Sequence, residues 1–221
     1  MLRDERSPHP AVTLAELDAV TLDANGTLVA LADPVPALRR LLAKHGIERP
    51  AEVVERAVEA EFVYYRAHMS AGRDAPSLAR LYRDCTAVFL DAAGAPVDAG
   101  ALAAGYVSAL RFELLPGVRE ALVRLRAHGL ALAVVSNWDC RLPEHLARLG
   151  VSQQLAAIVT SAETGAAKPD PAIFAHAIER LGVAAERALH VGDTTDDRLG
   201  AAAAGLHFAP APLPTVVDAL A

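Results

Sequence analysis

Four short stretches hold the residue types from which a displacement reaction can be built. Residues 20–28 (VTLDANGTL) run from apolar side chains into a carboxylate, Asp23, and then a small polar turn holding Asn25, Gly26 and Thr27. Residues 131–137 (ALAVVSN) stop at a hydroxyl and an amide, Ser136 and Asn137. Lys168 stands in a proline-rich turn, and residues 188–197 (ALHVGDTTDD) end in Gly192 and the acids Asp193, Asp196 and Asp197. A carboxylate can attack a phosphoryl or alkyl centre and split one hard displacement into two easier ones. That makes Asp23 the candidate nucleophile. Ser136 can bind the oxygens of a transferring group, and Lys168 can neutralise charge developing on that group and on Asp23. Asp23, Asp193 and Asp197 offer the oxygen ligands that Mg2+ takes, and spacing favours Asp197 over Asp196. Each stretch alone also reads as plain structure. Asp, Asn and Gly form turns, a lysine in a turn is usually solvated, and acids in a first helical turn favour the helix dipole. Asp196 suits that last role better than Asp193.

The elements that must position these residues follow from periodicity. The run 19–22 reads as a short buried strand ending at Asp23. The carboxyl end of such a strand is where open α/β sheets place their ligands. Residues 1–15 are charged and contain proline, and read as a loosely packed lead-in. Between 31 and 113 no strand pattern appears. Apolar residues three and four apart predict helices over 35–45, 50–71, 77–92 and 98–110, punctuated by Gly46, Gly72, Gly94 and Pro96. Glu61, Tyr64, Tyr65 and Met69 lie along one face and read as core of this helical region. From Leu114 an α/β rhythm begins. Strands at 130–135, 157–160, 189–191 and 206–209 alternate with helices at 116–128, 141–149, 171–181 and 198–204, before a terminal helix. The expected fold class is α/β, a Rossmann-like parallel sheet core with helices on both faces and an inserted α-helical domain. All the polar stretches then fall at one edge of the sheet, whereas accidental turn residues would be divided between both.

In this order the four stretches resemble the haloacid dehalogenase (HAD) superfamily of hydrolases. Motif one matches at Asp23 with Gly26-Thr27-Leu28, motif two at Ser136, motif three at Lys168, and motif four at Gly192-Asp193 with Asp197. The run Ser136-Asn137-Trp138-Asp139, followed by Arg141-Leu142, is similar to the branch with a helical cap inserted after motif one. The resemblance covers nearly the whole chain beyond the lead-in. It implies a core of residues 1–30 and 114–221 and a cap of residues 31–113. It also implies a Mg2+ site of Asp23, Asp193, Asp197 and the backbone carbonyl of Asn25. Catalysis would fall to Asp23, Ser136 and Lys168, with position 25 as the acid–base site. Thr27 is expected to hydrogen-bond within the motif-one loop. Thr27, Asn137 and Arg73, the last in a Gly-rich break between cap helices, are the candidates for substrate contact; Asn137 is equally suited to holding its loop.

Position 25 departs from the family pattern. Phosphatase members carry a second Asp there, which protonates the leaving alkoxide and then deprotonates the attacking water. Asn25 has a similar shape but cannot exchange a proton, and losing a positioned acid–base group costs about 10² to 10⁴ in rate. The expected function is a Mg2+-dependent HAD-like phosphatase of a small phosphorylated metabolite, and Asn25 leaves three explanations open: a preference for good leaving groups, a loss of catalysis with binding kept, or an introduced substitution. One alternative is a 2-haloacid dehalogenase, a branch that also lacks the second Asp but has small polar residues in place of Gly-Asp at motif four. The other is a binding or regulatory member that keeps the fold and the metal.

Composition narrows the setting. The chain has 221 residues, 53% apolar and 22% charged, with a formal net charge of −6. That suits a soluble globular protein large enough for one domain and a smaller insertion, without a basic field to attract nucleic acid. Cys85 and Cys140 form no CxxC pair, so free thiols in a reducing cytosol are expected. Neither a signal-peptide pattern nor a bilayer-spanning apolar run appears. A cytoplasmic location is the expectation, and oligomeric state has no signature.

Overall fold

A computed structural model of the chain describes residues 12–220. Residues 1–11 of the expected lead-in lie outside the described residues. The rest of it is not loose: Val12 and Leu17 are buried, and Leu14–Glu16 form a 3-10 turn between them. The Glu16 carboxylate accepts from both the N–H and the hydroxyl of Thr13, closing that turn.

The strands in chain order are β1 (Ala19–Leu22), β2 (Val29–Leu31), β3 (Phe112–Leu114), β4 (Ala131–Ser136), β5 (Ala157–Thr160), β6 (Ala188–Gly192) and β7 (His207–Pro210). The helices of the first half are α1 (Val35–Ala43), α2 (Ala51–His68), α3 (Ala75–Ala92) and α4 (Ala99–Ala109). Those of the second half are α5 (Val118–Ala127), α6 (Leu142–Arg148), α7 (Ser161–Thr164), α8 (Pro171–Leu181), α9 (Thr195–Ala203) and α10 (Leu213–Leu220). The chain forms two compact units, Leu31–Glu113 and the segments that flank it.

The flanking segments build an α/β unit. Its five-stranded sheet has the order β5-β4-β1-β6-β7, with every pairing parallel. All four residues of β1 and all five of β6 are buried, as strands covered on both faces require. Ala19, Ala133, Val135 and Ala188 face one side, in a cluster with Ile173 and Phe174 of α8 and Ala201 of α9. Alternation turns Val20, Leu22, Leu132 and Val134 to the other side, where α5 packs on β4 and on α10. The chain moves outward from β1 through β4 to β5, then crosses to β6 and β7. Connections therefore diverge at the carboxyl end of the central strand, the place where such sheets bind ligands. Asp23 is the residue that follows it.

The intervening unit is built mainly of α1–α4 around Leu38, Leu42, Val54, Phe89, Leu102 and Tyr106. Of the expected stripe on α2 only Glu61 is fully core; Tyr64, Tyr65 and Met69 are half-buried. The helix expected over 50–71 ends at His68, and Met69–Ala71 tighten into a 3-10 turn. Helix α3 is N-capped by Asp74, whose carboxylate accepts from the Ser77 N–H. The pair β2 and β3 forms a two-stranded sheet that periodicity did not signal, each strand being three residues long.

Candidate active site at the strand ends

Asp23 follows β1 and is 5% exposed. Its Oδ1 accepts from the Ser136 hydroxyl at 3.0 Å and from Lys168 Nζ at 2.5 Å. Its Oδ2 has no hydrogen-bond partner among the described residues. Ser136 closes β4, the parallel neighbour of β1, so the sheet itself brings hydroxyl and carboxylate together. Lys168 comes from the turn before α8 and also donates to Asp197 Oδ1 at 2.6 Å. Its backbone is clamped by Asn137, whose Oδ1 accepts from Lys168 N–H (2.7 Å) and whose Nδ2 donates to the Lys168 carbonyl (3.1 Å). The Asn137 amide, expected to reach substrate or hold a loop, is engaged in the second task.

Motif four contributes from β6 and the first turn of α9. Thr194 N-caps α9 and exchanges hydrogen bonds with Asp197: its N–H (3.0 Å) and hydroxyl (2.6 Å) donate to Asp197 Oδ2, and Asp197 N–H donates back to Oγ1. Oxygens of Asp23, Asp193 and Asp197 all lie within 4.8 Å of one another. Asp196 is exposed and outside that group. Two glycines make the convergence possible. At Gly26, with φ +85°, a Cβ would come within 2.1 Å of Asp193 Oδ2, and at Gly192 a Cβ would meet Asp197 Cγ at 2.4 Å. Only glycine admits the left-handed turn at 26.

Charge at the site is uneven. Burial alone would push Lys168 down, but the carboxylates of Asp23 and Asp197 outweigh it and hold the ammonium above its ordinary range. Burial works to raise Asp197; the hydrogen bond from His190 and the charge and donors of Lys168 and Thr194 win, holding it well below the usual carboxylate range. Asp193 reaches solvent, yet partial desolvation and the nearby Asp23 charge push it up.

Three hard oxygen donors crowded together, with one lysine against them, fit a divalent cation such as Mg2+. Asp193 and Oδ2 of Asp23 are open to an ion, and the Asn25 carbonyl accepts none of the backbone hydrogen bonds of its loop. Asp197 differs. Its four acceptor positions are filled by Lys168 and His190 at Oδ1 and by both Thr194 donors at Oδ2. Direct ligation by Asp197 would displace one of them.

Three further placements differ from or add to the sequence expectation. Thr27 is buried and its hydroxyl has no hydrogen-bond partner among the described residues, so the expected bond within its loop is absent. The loop is closed instead by Leu28 and Val29 N–H on the Ala24 carbonyl. Arg73 belongs to the helical unit, where its side chain is exposed. Periodicity gave no role to Thr21, His190 or Thr194. His190, fully buried on β6, joins Asp197 to Thr21, and burial holds its pKa down.

Comparison with known proteins converges on one family. A family profile described as haloacid dehalogenase-like hydrolase matches residues 17–205. Haloacid dehalogenase-like hydrolase domain-containing protein 3 of Mus musculus is 30% identical over 209 residues, covering 87% of this chain and 80% of its own. Phosphoserine phosphatase of Thermus thermophilus is 37% identical over 119 residues, 52% of this chain and 48% of its own. Among solved structures, a HAD-hydrolase of Bacillus subtilis bound to magnesium has a TM-score of 0.70 at 19% identity, over 92% of this chain and 98% of that one. That last likeness is one of fold.

Proposed function

The chain belongs to the haloacid dehalogenase-like hydrolases, and within that family we propose that it is a Mg2+-dependent phosphatase of a small phosphorylated metabolite, with Asn25 in the acid–base position. The observation that carries this reading is the asymmetry of Asp23. One oxygen is pinned by Ser136 and Lys168; the other is unengaged, at a sheet edge shared with Asp193 and Asp197. A phosphatase relative supports the substrate class.

In this reading the Asp23 carboxylate forms a bond to phosphorus as the bond to the leaving oxygen breaks. The leaving oxygen takes its proton from solvent, because the Asn25 amide has none to give. Water then attacks the phosphorus of the acyl phosphate, releasing phosphate and regenerating the Asp23 carboxylate. Ser136 and Lys168 hold Asp23 in line and balance its charge throughout. Asp23, Asp193 and the Asn25 carbonyl would hold Mg2+, with Asp197 acting through Lys168. The ion would supply charge neutralisation between anionic nucleophile and anionic substrate. Residues 31–113 would serve as the cap that selects substrate, with Arg73 as a contact. Two cysteines outside any disulfide suit a reducing cytoplasm.

Halide displacement from a 2-haloacid is disfavoured by the acid cluster. It needs no cation, and the carboxylate of its substrate would meet the charges of Asp23 and Asp193. The deciding experiment measures phosphate release from an aryl phosphate with and without Mg2+, beside halide release from a 2-haloacid in chelator. Mg2+-dependent phosphate release is expected; halide release in chelator would overturn the reading.

A further inference from the structure

We propose that His190 is a positioning residue of this site: its Nε2–H fixes the Asp197 carboxylate and, through it, the Lys168 ammonium on Asp23. The kinetic consequence rests on the phosphatase reading above; the geometric link stands apart from it.

His190 sits in β6, directly across from Thr21 of β1 in the parallel register. Both side chains lie on the face covered by α8, where the Phe174 ring meets the imidazole edge-on at 4.9 Å. An apolar residue would fill this wall at lower cost, since a fully buried imidazole must find partners for two ring nitrogens. It has them: Thr21 Oγ1 is 2.9 Å from Nδ1 and Asp197 Oδ1 is 3.0 Å from Nε2.

Those partners decide the tautomer. An ionised carboxylate only accepts, so the proton is on Nε2; Nδ1 then accepts, and the Thr21 hydroxyl donates to it. The result is one continuous path from the sheet interior to the nucleophile. Thr21 donates to His190, His190 donates to Asp197, and Lys168 donates to both Asp197 and Asp23. Asp197 Oδ1 is the junction, shared by His190 and Lys168. Thr194 holds only the other oxygen. Without His190, the oxygen that orients Lys168 has the lysine as its sole donor, and the carboxylate can pivot about the Oδ2 that Thr194 holds, shifting the ammonium with it. Misplacing a catalytic group by about 1 Å can cost on the order of 10²-fold in rate.

The test compares His190→Phe, His190→Gln and Thr21→Val in the full chain, each checked for folding by thermal melting. Phe fills the space without a donor, whereas the Gln amide can present an N–H near the Nε2 position. The positioning role predicts that His190→Phe lowers kcat on an aryl phosphate by about 10- to 100-fold with KM changed less than about twofold. It predicts that His190→Gln recovers most of that loss and that Thr21→Val falls between. A residue that only fills the core gives the reverse order, with Phe near wild type and Gln impaired, and that order would overturn the proposal. A second readout needs no turnover: 15N spectra of the wild-type imidazole should show the Nε2–H tautomer. An Nδ1–H tautomer overturns the proposal whatever the kinetics, and this readout and Thr21→Val decide it if His190→Phe fails to fold. Should the wild type release no phosphate while the Nε2–H tautomer is present, the phosphatase reading fails and the link from His190 to Asp197 stands.

Discussion

Asp197 in the α/β unit and Glu61 in the helical unit are both carboxylates shut away from water, at 0% and 2% exposure, yet their surroundings push them in opposite directions. Asp197 receives donors at every acceptor position, and a cation among them, so its charged form is strongly favoured. Glu61 has one oxygen, Oε2, with no hydrogen-bond partner among the described residues. Burial pushes Glu61 up towards the neutral acid, and its neighbours Cys85 and Tyr106 only partly offset that. A buried carboxylate with a full shell can carry charge for chemistry. One with an oxygen left unpaired is stable mainly when it gives its charge up.

The largest test of that contrast removes the carboxylate the shell serves. Asp23→Asn should lower phosphate release by more than about 10⁴-fold, because in the proposed reading it deletes the nucleophile that Lys168 and Ser136 orient. Wild-type-level turnover in a sample verified by peptide mass spectrometry would place the chemistry elsewhere.

Next in size is removal of the cation. Lys168→Met leaves Asp23 and Asp197 buried and facing each other uncompensated, and breaking a buried pair in this way costs about 3–5 kcal/mol. Denaturant unfolding in chelator should show that loss, and added Mg2+ should restore part of it. An unchanged midpoint would mean that the shell around Asp197 does not depend on the lysine.

Glu61→Gln should have the smallest effect and the opposite sign. The folded pKa of Glu61 lies above its ordinary 4.5, so the contribution of its neutral form is complete below 4.5 and is lost as pH rises through the raised value. Gln stays neutral at every pH. The variant should therefore match wild type in acid and melt higher above that window, by about 2–4 °C for each 1 kcal/mol gained in a chain of this size. A variant less stable than wild type at neutral pH would show that Glu61 is charged and paired after all.

How much of this was legible in the sequence depends on the kind of relation involved. Strand β1 and helix α8 begin and end where an apolar run meets Asp, Pro or Gly, and local composition located them. Strands β2 and β3 and helix α7 are three or four residues long, too short for any period to show. Asp23, Ser136, Lys168, Asp193 and Asp197 all stand at or after strand ends, so a parallel sheet was enough to suggest that they gather. Thr21 and His190 were not legible. Their meeting depends on strand register and on which face each side chain takes, and neither is written in the residues around them. The Asn137 clamp on Lys168 is likewise a contact across the sheet edge. Even at Thr27, where a hydroxyl in a loop suggested a local bond, the turn closed through backbone groups instead.

The central claim is that this site has a nucleophile, a lysine and room for a cation but lacks a proton carrier at position 25. Phosphate release from aryl and alkyl esters of graded leaving-group pKa, in saturating Mg2+, tests it most directly when wild type and Asn25→Asp are compared. Because Asn25-Gly26 is prone to deamidate, peptide mass spectrometry of residues 20–28 must first show that the wild type carries Asn. The wild type should then give a steep negative slope of log rate against leaving-group pKa. Asn25→Asp should flatten that slope and raise turnover of the poorest leaving groups by about 10²-fold or more. A flat wild-type slope with chemistry rate-limiting, or a verified Asn25→Asp protein that binds Mg2+ without gain on any ester, would contradict the account.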